Sequence, residues 1–301
     1  MIQAKSDLFF RYLLGREEDE DLRVDFINSV LADAGQPLIT SAKVLNPFNP
    51  RATKTDKESI LDIKCQTLSG DFVTIEMQIL GSDDYTKRAL YYWARTYASQ
   101  LGNGQIYGTL KPVISIHILD FNLYQKEDDD KKAEILNDNK MHHCFGIFER
   151  ENKDLELIKD FQIHFIEMPK FKAQIQNKEE LKGWIDFFSN IKEDQVMLLA
   201  EQPSTMINKA ILRFQEFTAD NDLRYQYEAE ERYLRDTNSR LHEAEQTGLT
   251  RGRAEGRAEG RAEGSRAKAI ETARTMLREG ESIDKIQRYS GLSLSEIQNL
   301  K

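Results

Sequence analysis

The stretch Ile60-Leu-Asp-Ile-Lys-Cys-Gln66, Thr67-Leu-Ser-Gly-Asp71 and Phe72-Val-Thr-Ile-Glu-Met-Gln-Ile-Leu80 decides the fold. Two alternating runs, Ile60–Gln66 and Phe72–Leu80, flank the turn Leu68-Ser69-Gly70. A three-residue loop with Gly in the left-handed position is a favoured hairpin connection. With Ser69 at its centre, Asp62 faces Glu76, Lys64 faces Thr74 and Ile60 faces Gln78. The side chains then sort by face, because a strand alternates with period two. Leu61, Ile63, Cys65, Val73, Ile75, Met77 and Ile79 form an apolar face, and Asp62, Lys64, Gln66, Thr74, Glu76 and Gln78 share the other.

Two carboxylates opposed on an antiparallel pair have Cβ atoms about 5 Å apart, close enough to share one divalent cation and repulsive without one. Mg²⁺ takes such oxygen ligands, lowers the pKa of bound water and stabilises charge on a phosphate. The alternative is a solvated sheet face on which Lys64 neutralises Asp62, and spacing alone does not choose between the two.

Working outward, Ser6 followed by Asp7-Leu-Phe-Phe-Arg-Tyr-Leu-Leu-Gly15 predicts a short capped helix, and Leu22–Ala34 a second one stopped by Gly35 and Pro37. Residues 46–55 are loop-like. Residues 84–101 have helical periodicity, with Arg88 and Tyr92 one turn apart and Leu90, Trp93, Tyr97 and Leu101 available for packing. Pro112–Phe121 reads as a buried strand, 126–140 as a charged loop, and Phe145–Arg150, Leu155–Phe161 and Ile163–Met168 as three further strands. Beyond Pro169 the chain turns helical, including Trp184–Phe188 and Met206–Phe217. This order predicts an α/β protein with a mixed β-sheet core flanked by helices and a helical C-terminal extension.

The 301 residues suffice for one sizeable core and an extension. We expect a core over 1–170, a helical extension over 171–250, a repeat linker over 251–266 and a small helical tail over 267–301. Cys65 and Cys144 are the only cysteines, and Cys65 lies in an apolar alternating run, which suits a thiol in a reducing, cytoplasmic setting. The run Leu8–Leu14 is too short for a signal sequence, and no stretch reaches the roughly 18 apolar residues of a membrane span. The net charge of −9 counts against a general nucleic-acid coat. Residues 251–301 hold 11 Lys and Arg against 8 Asp and Glu, and the rest 31 against 43, so the acidity sits on the main part. A local basic groove or bound metal ions can still engage DNA.

From Arg251 to Gly264 Gly-Arg-Ala-Glu repeats with period four. Each Gly costs a helix about 1 kcal/mol, and the period stacks Arg on Arg and Glu on Glu, so a flexible linker is expected, with close helix–helix approach as the alternative. Ala267–Glu279, Ile283–Tyr289 and Leu294–Leu300 follow as short helices, with Gly280 and Gly291 as stops and a capping box between Ser293 and Glu296. A helix-turn-helix fits this tail, but docking or homo-oligomerisation suits it better than base reading, because the last helix is short.

The segment Leu61-Asp62-Ile63-Lys64, the hairpin and Ile75-Glu76-Met77-Gln78, followed by a helix, resemble the restriction-endonuclease-like PD-(D/E)XK superfamily. More closely, the chain is similar to its Rpn branch, the recombination-promoting nucleases also described as transposases. Asp7-Leu-Phe-Phe-Arg-Tyr-Leu-Leu-Gly15, Lys87-Arg-Ala-Leu-Tyr-Tyr-Trp93, Leu110-Lys-Pro-Val-Ile-Ser-Ile116, the repeat and the Gly280–Leu300 tail carry the resemblance over nearly the whole chain.

The resemblance implies a Mg²⁺-dependent DNA endonuclease, with Mn²⁺ as a substitute metal, in which Asp62 and Glu76 ligate the ion together with the Met77 carbonyl. Gln78 stands where the superfamily usually has Lys; Gln orients a water but supplies no positive charge. The Rpn branch resembles this chain in having Gln there. Lys64 on the same face, or Arg88 from the helix, would restore the charge. Asp7 would add a carboxylate, although an acid in a first turn is more often a dipole partner. Arg88 and Tyr92 are candidate nucleic-acid contacts, whereas Tyr91 and Tyr97 read better as packing. A catalytically degenerate DNA-binding or oligomerising protein is the alternative.

His142, His143 and Cys144 invite a zinc reading, but adjacent strand residues diverge and no second ligand pair follows. Neither a nucleophile elbow nor a Gly-rich phosphate loop is present, which removes triad hydrolases and nucleotide binding.

Overall fold

The computed structural model describes residues 1–46, 48, 62–123, 139–173, 179–193 and 205–300. Ile60, Leu61, most of the 46–55 loop and most of the charged 126–140 loop lie outside them.

The hairpin forms with its expected register. Its strands, β2 (Ile63–Gln66) and β3 (Phe72–Gln78), pair antiparallel with Ile63 opposite Ile75, Lys64 opposite Thr74 and Cys65 opposite Val73. Gly70 takes φ 91°, a value L side chains rarely adopt, and the Thr67 N–H donates to the Asp71 carbonyl at 2.9 Å to close the loop. Around this pair lie β1 (Lys43–Val44), β4 (Val113–Leu119), β5 (His142–Phe148) and β6 (Glu156–Glu167), in the spatial order β1-β2-β3-β4-β6-β5. β3, β4 and β6 run parallel, and the remaining pairs are antiparallel. The parallel β3–β4 step needs a crossover, which α3 (Tyr85–Ala98) supplies.

Two strand expectations change. β6 is one 12-residue strand where the sequence predicts two. Gln162, at the expected break, is half-buried and its amide donates to Gln36 Oε1 at 3.3 Å, so it stays within the ladder at no cost in unpaired groups. β5 begins at His142, earlier than expected, because it pairs with β6 from His142 opposite Ile166 onward.

The outer parts of β5 and β6 stay exposed, and helices pack on each face of the sheet. On one, Ile63, Ile75, Ile116 and Ile118 meet α1 (Asp7–Gly15), α2 (Glu20–Asp33), α4 (Glu179–Asn190) and α5 (Thr205–Ala219). Phe9 sits edge-on to Phe214 and Phe217, and Phe26 to Trp184. Thus α4 and α5, expected in a separate extension, share the main core, and the first compact unit runs over Met1–Tyr227. On the other face Tyr85 and Ala89 of α3 pack on Leu119, Phe161, Ile163 and Phe165, with Trp93 beside them. Leu90, expected to pack, is half exposed, since the apolar stripe runs through 85, 89 and 93 and Leu90 falls off it.

The second unit, Glu228–Lys301, holds most of α6 (Asn221–Arg278) together with α7 (Ile283–Ser290) and α8 (Leu294–Gln298). The repeat is helical within α6, where the sequence predicts a flexible linker. Arg, Ala and Glu are all strong helix formers, so three of every four positions favour the helix, and Arg251 pairs with Glu255 one turn on at 2.7 Å. Ala273, Ile286, Leu292 and Ile297 form a small core, Gly280 and Gly291 adopt positive φ, and the Ser293–Glu296 capping box forms. Among the described residues no helix is long and apolar enough to cross a membrane.

Candidate active site

The polar face of the hairpin is only partly exposed, with Asp62, Lys64, Gln66 and Gln78 half-buried. Thr74 and Glu76 are buried under α3, and Glu76 is only 2% exposed. Asp62 stands one residue before β2, where its Oδ2 accepts the Met77 N–H at 3.0 Å. Asp7, from the first turn of α1, comes within hydrogen-bonding reach of the Asp62 carboxyl. The fold therefore joins three acids, including the Asp7 that the sequence alone ranks below the pair.

Positive charge reaches this group from Arg11, whose Nη2 lies 3.6 Å from Asp7 Oδ2. Burial pushes the Asp62 carboxyl well above the usual range, the neighbouring Asp7 charge adds to this, and Glu76 contributes further, against the opposing Met77 hydrogen bond. Glu76 Oε1 is buried with no hydrogen-bond partner, and its Oε2 lies 3.7 Å from His117 Nδ1. A buried carboxylate oxygen without a donor is costly unless a cation meets it. The donors are hard oxygens, which fit Mg²⁺. Among the described residues no three His, Cys, Asp or Glu side chains form a ready-made metal cage. Mg²⁺ does not need one, because it keeps several waters and takes one or two carboxylates plus substrate phosphate.

Behind Glu76 runs a polar chain that the sequence reading passes over as plain buried strand. The Tyr85 hydroxyl and His117 Nδ1 are 2.9 Å apart, His117 Nε2 and Ser115 Oγ 2.9 Å, and Ser115 Oγ and Thr74 Oγ1 2.8 Å. His117 lies directly across the ladder from Glu76. In Val-Ile-Ser-Ile-His-Ile-Leu, Ser115 and His117 alternate with isoleucines, and that period-two pattern was the available signal.

The expected cations separate. Arg88 Nη2 donates to Gln78 Oε1 at 2.5 Å, and its guanidinium stacks 4.9 Å from the Tyr85 ring centre. Arg88 Nε is buried with no hydrogen-bond partner. Lys64 lies 5.2 Å from the Phe72 ring centre, and among the described residues it makes no ion pair with Asp62, so it does not neutralise that acid. Burial, and then Arg95, lower the Lys64 pKa. Tyr92 is half-buried beside the exposed Tyr91, and the Tyr97 hydroxyl donates to Asp160 at 2.7 Å. Met77 buries its side chain on the opposite face.

An acid before one strand of a hairpin, a second acid on the next strand and an α3 crossover into a parallel strand form one continuous pattern, and the sequence match agrees with it. A family model described as PD-(D/E)XK nuclease family transposase matches residues 4–244. The chain belongs to that family. The mixed sheet with helices on both faces is accordingly a restriction-endonuclease-like fold. Membership in the PD-(D/E)XK nuclease family transposases supports a nuclease- or transposase-related function, and the match includes Asp7, Asp62, Glu76, Gln78 and Arg88. Comparison with curated proteins and with solved structures found no match.

Proposed function

We propose that the chain is a Mg²⁺-dependent DNA endonuclease that hydrolyses phosphodiester bonds, with Mn²⁺ able to substitute, and that it serves recombination or mobile elements. The observation that carries this reading is the buried Glu76 Oε1 without a donor, beside an Asp62 carboxyl crowded by Asp7. Asp62 and Glu76 would hold the ion, with Asp7 and the Met77 carbonyl as further oxygen donors. When bound, such an ion supplies Lewis-acid stabilisation of phosphate charge and acidifies water.

The chain's own groups do the remaining work. Met77 fixes the Asp62 carboxyl through its N–H. His117 and Tyr85 hold the wall behind Glu76. Gln78 holds Arg88, which brings to the site the positive charge that a lysine at position 78 would carry. Arg88 and Tyr92 are the proposed contacts to the DNA backbone.

Nicking of supercoiled plasmid with and without Mg²⁺ tests the reading, with Asp62→Asn and Glu76→Gln beside the native chain. Mg²⁺-dependent nicking that either substitution abolishes is the expected result. Nicking unaffected by both would overturn the site. DNA binding without cleavage in any divalent metal would overturn catalysis and favour a DNA-binding protein that has lost activity.

A further inference from the structure

At the far edge of the sheet, away from the acids, four side chains form a directed chain. Asp33 Oδ2 lies 2.7 Å from His142 Nδ1, His142 Nε2 lies 3.0 Å from His164 Nδ1, and His164 Nε2 lies 3.8 Å from Cys144 Sγ. His142 and Cys144 share one face of β5, with His164 directly across from Cys144 on β6. Asp33 thus orients the His142 ring and His142 the His164 ring, which leaves His164 Nε2 directed at Cys144 Sγ. Gln162 Oε1, another acceptor, lies 3.5 Å from that same nitrogen, and the Gln162 amide nitrogen is committed to Gln36. An imidazole nitrogen, an amide oxygen and a thiol thus converge.

We infer that Cys144, His164 and Gln162 form a second site, separate from the acids, for a thiophilic metal cation such as Zn²⁺. In tetrahedral coordination with Zn–S near 2.3 Å and Zn–N near 2.0–2.1 Å, ligating sulfur and nitrogen stand roughly 3.5 Å apart, and nitrogen and oxygen roughly 3.4 Å. The observed 3.8 Å and 3.5 Å need shifts of a few tenths of an ångström. His164 is fully buried and oriented by His142 and Asp33, the arrangement in which an outer carboxylate fixes the tautomer of a metal-binding imidazole. Cys144 and Gln162 line a cavity of about 290 Å³ that gives a cation entry and leaves a fourth position open. Binding converts the Cys144 thiol to a thiolate and releases its proton to solvent. The zinc reading of consecutive His142, His143 and Cys144 fails on geometry; here the ligating nitrogen is that of His164 on β6.

Cobalt titration of the metal-free full-length protein tests this, read by thiolate-to-cobalt charge-transfer absorption and by its displacement with Zn²⁺. One equivalent should bind with that absorption. Cys144→Ser should abolish it, and Asp33→Asn, which leaves the ligands in place, should weaken binding about 10–100-fold. Asp62→Asn and Glu76→Gln should leave it unchanged, so the result stands apart from the nuclease reading. Absence of the absorption, or its persistence in Cys144→Ser, would overturn the site.

Discussion

The backbone N–H of Met77 donates to Asp62 Oδ2 at 3.0 Å, so the residue next to one acid holds the other in place. This bond belongs to the backbone and survives removal of the charge. Asp62→Asn keeps an acceptor for Met77 and removes a carboxyl whose ionisation burial and the neighbouring Asp7 oppose. The variant should fold, melt above the native chain in the absence of metal, and lose Mg²⁺-dependent cleavage by about 10²–10³-fold. Paired melting curves and nicking rates read the two effects; a metal-free melting temperature below native would contradict the charge crowding.

Charge crowding also has a pH signature. The folded Asp62 carboxyl has a raised pKa, so the native state binds more protons than the unfolded chain between the ordinary aspartate range and that raised value. Stability from this group is present at low pH and declines as pH rises through the window. His164 works the other way. Burial lowers its pKa to about 3, so acid favours the unfolded chain, and stability is lost as pH falls from about 6.5 toward 3. The Asp62 contribution is therefore the difference between native and Asp62→Asn unfolding free energies across pH without metal. That difference should shift toward Asp62→Asn as pH rises; a flat difference would remove the raised pKa from the account.

Arg88 and Gln78 act as a pair, and substitutions at one should depend on the other. Arg88→Ala should lower cleavage by about 10²-fold, the scale of removing one charge-stabilising group. Gln78→Lys alone should not raise activity, because it places an ammonium against the guanidinium that now bonds Gln78 Oε1 at 2.5 Å. Combined with Arg88→Gln it should recover part of the loss. A double-mutant cycle on nicking rates measures this; strictly additive effects would mean that Arg88 does not stand in for the lysine.

The register of the hairpin was legible because Gly70 fixes the turn and the alternation fixes the faces, and these are local properties. The meeting of Asp7 with Asp62 was not, since it depends on how α1 docks its apolar side on the sheet. The helical spacing placed Arg88 and Tyr92 one turn apart, yet only packing reveals that Arg88 pairs with Gln78. Within the helical extension expected over 171–250, Trp184, Phe214 and Phe217 join the main core, a docking that tertiary contacts decide and local pattern does not. The Asp33–His142–His164 chain joins α2, β5 and β6, a proximity that no sequence spacing encodes.

His117 links the Tyr85 hydroxyl, Ser115 and Glu76. His117→Phe puts a larger apolar ring in place of the imidazole and removes the partner of the buried Tyr85 hydroxyl, while Ser115 keeps Thr74, at a cost on the order of 1–3 kcal/mol. The midpoint of urea unfolding should fall without a change in slope. Cleavage should fall too while DNA affinity holds, because Glu76 loses its neighbour and the outer surface is untouched. Equal stability of variant and native chain would dispose of the network.

The helical repeat gives the last expectation. A Cβ added at Gly252, Gly256, Gly260 or Gly264 meets nothing within 4 Å, and all four glycines lie inside α6. Nothing in this unit therefore demands glycine for space. Alanine at such positions narrows the unfolded ensemble and favours helix by about 0.5–1 kcal/mol per site. Changing all four should raise the helical signal in far-UV circular dichroism and the melting temperature of residues 228–301 within the full chain. If helicity or stability instead falls, a partner backbone must approach the glycine row, and the repeat would then be a contact surface, not a solvated helix.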